Sequence, residues 1–153
     1  MSKSALRSVV QEAAAEMQGD LAHRWSLAEI AGSLYLSPSQ VGRVFNDQIG
    51  MPPIALLARL RVREMARLLR ESDMTIAEIG VRVGWRNRGH AAEQFAKTMG
   101  VTPTAYRAES RVNDGRIGDR FRRLKREPLV WWFLVCLLLE ASGRQGGHGG
   151  VPQ

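Results

Sequence analysis

The chain repeats itself at an interval of about fifty residues. Ser26-Leu27-Ala28-Glu29-Ile30-Ala31 returns as Thr75-Ile76-Ala77-Glu78-Ile79-Gly80, Arg43-Val44-Phe45 returns as Glu93-Gln94-Phe95, and Gly50-Met51-Pro52-Pro53 returns as Gly100-Val101-Thr102-Pro103. Self-similarity at a fixed period means that one supersecondary unit is used twice, so the possible folds reduce to two copies of a small helical unit and whatever joins them.

Each copy opens with a capping signal. Ser26 with Glu29 three residues on, and Thr75 with Glu78, predict reciprocal boxes in which the hydroxyl accepts from the backbone amide while the carboxylate reaches back. The first copy then turns through Leu34-Tyr35-Leu36, and Ser37-Pro38 supplies an N-cap followed by a proline at the first helical position, which predicts a helix over Pro38–Asp47. In the second copy Val83-Gly84-Trp85 is the turn and Asn87 caps a helix running to about Met99. Gly50 and Gly100 are helix stops, each with proline close behind. Two short helices about a tight turn, the second strongly capped, form a helix-turn-helix.

Around the copies lie two more helices. Leu6, Val9, Val10, Ala13, Ala14 and Met17 fall at helical spacing between Ala5 and Met17, with Gly19-Asp20 as the stop. From Ile54 to Ser72, Leu56, Leu57, Leu60, Met65, Leu68 and Leu69 form an apolar stripe, with Arg59, Arg61, Arg63, Arg67 and Arg70 interleaved. A helix of that length spans roughly 27 Å, against the roughly 34 Å between major-groove faces one turn apart. The arginines read as a solvated face with phosphate contact as the second reading, and Arg61 has bracing of the two halves as an alternative role.

The formal charge of +7 on 153 residues favours an anionic partner, nucleic acid first and an acidic membrane surface second. Residues 1–111 hold fifteen Lys/Arg against eleven Asp/Glu, and residues 112–153 hold seven against four. The single cysteine, Cys136, closes no internal disulfide, and three scattered histidines give no zinc-ligand spacing, so no metal is expected and the compartment reads as reducing. No secretory leader is expected, and the location reads as cytoplasmic, at the bacterial nucleoid. Beyond Arg111 the composition shifts to a linker, a basic run over Arg120–Arg126, an apolar run over Leu129–Leu139 and a Gly-rich end. That stretch, 112–153, is expected to be a weakly structured tail. The eleven residues Leu129–Leu139 would reach only about 16 Å of the bilayer's roughly 30 Å.

In order and spacing, the residues from about 6 to 108 resemble the DNA-binding domain of the AraC/XylS family of bacterial transcription regulators. The resemblance rests on Leu27, Ile30-Ala31, Ser37, Val41, Arg43, Phe45 and Gly50, then on Arg61-Val62, Met65 and Leu68-Leu69. It continues through Ile76, Ile79, Gly84-Trp85, Phe95, Gly100, Pro103 and Tyr106-Arg107. It implies an all-α, homeodomain-like tandem, with two helix-turn-helix subdomains joined by a long linker helix. The expected boundaries are 5–111 for the domain, about 26–47 and 75–98 for the units, and about 53–72 for the linker. With no room for a sensor domain of ordinary size, the chain is similar to the stand-alone members.

The function that follows is sequence-specific double-stranded DNA binding that regulates transcription as an activator, through RNA polymerase, with no cofactor and no catalysis. Two recognition helices would enter successive major grooves. The second helix of such a motif presents its N-terminal half to base edges, which nominates Ser39, Gln40, Gly42 and Arg43 in the first unit and Arg88, Gly89, His90, Ala92 and Glu93 in the second. Arg43 suits guanine and Gln40 adenine, both bidentately. Ser37, Asn87, Arg86 and Lys97 are placed for phosphates. Glu93 departs from the family pattern where an arginine is expected, as do Met65 and Gly80 where alanine is usual; the first unit is therefore expected to discriminate bases and the second to clamp the backbone.

Rival readings stay open. One is an architectural or mobile-element DNA protein; another is a membrane-surface or protein-interaction module that works through the tail, with degenerate helix-turn-helix units. Trp85, Phe45, Phe95 and Tyr106 read as core residues rather than base-stacking groups. His90 with Glu93 lacks the third group that a metal or catalytic site needs.

Overall fold

From Val10 onward the apolar stripes expected in α1 and α4 are buried, and they build two cores rather than one. A computed structural model describes residues 3–112, with side chains described from Val9 onward. Seven helices follow in order: α1 (Lys3–Gly19), α2 (Leu27–Ser33), α3 (Pro38–Ile49), α4 (Pro53–Glu71), α5 (Ile76–Val83), α6 (Arg88–Met99) and α7 (Pro103–Val112). No strand occurs among the described residues. The expectations for the tail at 112–153, its basic and apolar runs included, lie outside the described residues after Val112. No helix of the described residues is long and apolar enough to cross a membrane.

The nineteen-residue α4 belongs to both cores. Its first half buries Leu56, Leu57 and Leu60 with Met17, Ile30, Val41 and Phe45 of α1–α3. Its second half buries Val62, Met65, Ala66, Leu68 and Leu69 with Ile79, Val83, Trp85, Phe95 and Tyr106 of α5–α7. The changeover falls at Arg61, the one polar position between Leu60 and Val62. That guanidinium is half-buried and folded back onto the chain before α2: its Nε donates to the Leu21 carbonyl and its Nη2 to the His23 carbonyl, each at 3.0 Å. Partial burial lowers its pKa from the ordinary value, and backbone dipoles rather than a carboxylate compensate the charge. Of the roles open to Arg61, the structure has the brace.

Gly84 shows how close the two units come. It ends α5 at φ +106°, and a Cβ there would lie 2.5 Å from the Leu21 carbonyl oxygen and 2.8 Å from the Arg61 guanidinium. The first unit's turn has the same hydrogen bonding. Leu36 N–H donates to the Ala31 carbonyl as Trp85 N–H does to Gly80, yet the left-handed residue is Tyr35, at φ +57°. Tyr35 is 96% exposed, so nothing presses on it.

Three expectations are corrected. The box at Ser26 is half-formed: Ser26 Oγ accepts from Glu29 N–H, but the Glu29 carboxylate goes to His23 instead, because the loop that Arg61 fixes brings that ring within reach. The full boxes are at Thr75–Glu78 and, unanticipated, Ser37–Gln40. The first unit's second helix runs two residues past Asp47, since Ile49 is needed in the core and the left-handed Gly50 caps it. No helix was expected beyond the Gly100 stop, yet Pro103 starts α7. Thr102 Oγ1 accepts from Ala105 N–H at its start, Tyr106 packs edge-on to Phe95, and Arg107 donates to the Leu69 and Ser72 carbonyls at the end of α4.

Two outcomes follow, both read as denaturant midpoints. Gly100→Ala, in open space at φ +74°, is expected to cost about 1 kcal/mol for the left-handed backbone alone, whereas Gly84→Ala should cost about 3 kcal/mol or more because backbone and guanidinium must also move. The Thr75 N–H holds the Glu78 carboxyl below its ordinary pKa. That contribution is present above the unfolded pKa and lost as pH falls through the lowered value, so Glu78→Gln should flatten the acid limb of the stability curve.

Candidate nucleic-acid interface

Helices α3 and α6 are built to one template. Each is twelve residues long, starts behind a side-chain cap, ends on a left-handed glycine, and buries a single row: Val41, Phe45 and Ile49 in α3, Ala91, Phe95 and Met99 in α6. The row fixes which residues face out. Ser39, Gln40 and Arg43 are exposed and Gly42 half-buried in α3; Arg88, Gly89, His90 and Glu93 are exposed and Ala92 half-buried in α6. All nine nominated base-reading residues thus lie on or beside the open face. Ser37, Asn87, Arg86 and Lys97 are exposed as well.

Within that set the side chains are not equally available. Gln40 Oε1 accepts from the Ser37 N–H at 2.9 Å, which occupies one of that oxygen's two lone pairs and leaves both amide donors for a base. Ser37 Oγ accepts from Gln40 N–H and Asn87 Oδ1 from His90 N–H, so both are caps first. His90 stands edge-on to Trp85 with ring centres 6.3 Å apart. Arg43 has no hydrogen-bond or ion-pair partner among the described residues. Its register mate in α6 is Glu93, and one turn on, Asp47 is matched by Lys97; the two faces carry their charges in opposite order.

The linker arginines divide differently. Arg67 is held by Glu64 and Glu71, and Arg70 donates to the Tyr106 hydroxyl at 2.6 Å. Arg61, Arg67 and Arg70 thus all have partners within the fold.

Between the units lies a cleft of about 740 Å³, open to solvent, lined by Arg24 and Trp25 from the chain before α2, Arg61 from α4, and Trp85, Arg86 and His90 from the second turn and α6. The sequence reading passed over Arg24. Its local context carries no signal, because what gives it a place is the meeting of two segments about sixty residues apart. Among the described residues no group of three His, Cys, Asp or Glu side chains could hold a metal ion.

A family model described as a helix-turn-helix domain matches residues 30–109. A putative AraC-like transcription regulator of Streptomyces antibioticus is 32% identical over 99 residues, 65% of this chain and 33% of its own. The HTH-type transcriptional activator AarP of Providencia stuartii is 27% identical over 108 residues, covering 70% of this chain and 80% of its own. Among solved structures, the DNA-binding domain of AdpA in complex with a target DNA superposes with a TM-score of 0.63 at 29% identity, over 67% of this chain and 93% of that one. The chain spans about a third of the length of the first of these relatives.

Proposed function

This chain belongs to the AraC/XylS family of helix-turn-helix DNA-binding domains, and on that premise we propose that it binds a specific double-stranded DNA site and activates transcription from it. The observation that carries the reading is the pair of equal, capped helices whose outward faces are set by one buried row each and whose cores share α4. That rod of nineteen residues is about 28 Å long, close to one turn of duplex. The AdpA domain's complex with a target DNA and the activator named in Providencia stuartii support the same reading. Contact with RNA polymerase, action in the cytoplasm at the nucleoid, and the absence of a catalytic step belong to the proposal.

In it, Ser39, Gln40, Gly42 and Arg43 read the first major groove. Arg43 is the discriminating group, because its guanidinium is unengaged among the described residues and a fork of two donors fits guanine O6 and N7. Gln40 contributes its amide donors, its oxygen being partly engaged by its own cap. In the second groove Arg88, Gly89, His90, Ala92 and Glu93 meet the base edges. Glu93 can accept from cytosine but is repelled by phosphate, so this unit works largely as a backbone clamp through Arg86, Asn87, Arg88 and Lys97, with Ser37 matching it in the first unit.

The test is selection of preferred duplexes from a random pool at physiological salt, followed by binding of variants to the enriched site. Arg43→Ala should lose specific affinity by about 5- to 150-fold, the range of roughly 1–3 kcal/mol for a bidentate pair, with little change on random duplex. Glu93→Ala should change discrimination less. A larger loss for Glu93→Ala would reverse the roles of the two units, and no enriched site at all would overturn the reading. A reporter promoter carrying the site separates an activator from an architectural protein.

A further inference from the structure

We propose that the cleft between the two units is a phosphate seat: Arg24 and Arg86, which line it together with the Arg61 brace, grip the DNA backbone that passes between the two major grooves. This deepens the DNA-binding reading and rests on it. Arg24 and Trp25 immediately precede Ser26, the cap of α2, while Trp85 and Arg86 precede Asn87, the cap of α6. The start of one unit's first helix and the start of the other's second helix are thus brought to one place, with Gly84 packed against Leu21 beneath them.

The chemistry of the lining selects the ligand. Among the described residues Arg24 and Arg86 are exposed and have no hydrogen-bond or ion-pair partner, Arg61 adds a third positive charge, and no carboxylate lines the cleft. Arg61 itself is spent on two carbonyls, so it contributes field rather than grip. Small-molecule pockets are concave and enclose most of their ligand; this cleft is open to solvent, which suits a strand running through it. A duplex read in two successive major grooves must carry its backbone past whatever joins the reading heads, and here that is a cationic saddle rather than a neutral gap.

The experiment uses the full chain and a selected site, with binding followed across a salt series. Arg24→Gln and Arg86→Gln are expected each to lower the slope of log affinity against log salt by about one, on specific and random duplex alike, leaving base preference intact. Replacing the phosphates between the two recognition blocks by uncharged methylphosphonates should weaken the wild type and change Arg24→Gln little further. Two outcomes overturn the seat: a slope unchanged in both variants, or a methylphosphonate effect equal in wild type and Arg24→Gln. A third arm titrates inorganic tripolyphosphate. If Arg24→Gln abolishes its binding while the DNA slope stays put, the cleft holds a free anion and the duplex contact is wrong. Failure of the broader reading looks different, since the wild type would then show no preference for any duplex.

Discussion

One guanidinium, that of Arg61, sits at the boundary where the two units meet. Residues on either side of Arg61 point into different cores, Leu60 into the first and Val62 into the second. A continuous helix alone would leave those cores as separate lobes on a shared rod. Arg61 reaches back across the boundary to two carbonyls in the segment before α2, and at the same time its guanidinium stands 2.8 Å from where a Cβ on residue 84 would be. Segment, rod and second turn are therefore locked at one point, and the spacing of α3 from α6 follows from that point plus the stiffness of α4. Arginine is suited to the position because its fork donates in two directions from one plane, which an ammonium on a flexible stem does not reproduce.

Duplication supplied the scaffold, and the copies differ in the charges they carry on it. The buried rows of α3 and α6 correspond residue for residue, so both faces present the same geometry to a groove. What they present is reversed: Arg43 and Asp47 in one, Glu93 and Lys97 in the other. Packing controls where a side chain stands and leaves its charge free to vary. At the crossing of α5 and α6 a Cβ on Gly80 would sit 3.3 Å from that of Ala91, so an alanine there would be tight but would need only a slight shift.

Local signals carried the all-α reading a long way. Ser37-Pro38, Asn87, Thr75 with Glu78, and the stops at Gly50 and Gly100 each act within four residues, so the sequence states them directly, and the apolar stripes of α1 and α4 gave the cores. What stayed hidden depends on distant partners. Glu29 fits a capping box on paper, yet it turns to His23 because a loop is pinned by an arginine thirty-eight residues on. The helix α7 is short, with Tyr106 and Arg107 docked on residues thirty-five to thirty-eight positions earlier. At the interface, the exposed faces of α3 and α6 were legible from periodicity. The engagement of Gln40 by its own cap, and the place of Arg24 beside the second turn, were not.

Tyr35 and Gly84 hold the same station in the two copies, each a left-handed residue closing the same turn. The inner one is hemmed in by a neighbour's backbone, and only the smallest amino acid satisfies it. The outer one borders water, so a side chain is tolerated there at the expense of some backbone strain. Joining two like modules end to end thus makes them unlike in their freedom to mutate: the edge that acquires a neighbour becomes fixed, and the edge left outermost is where this molecule can accept novelty without disturbing its frame.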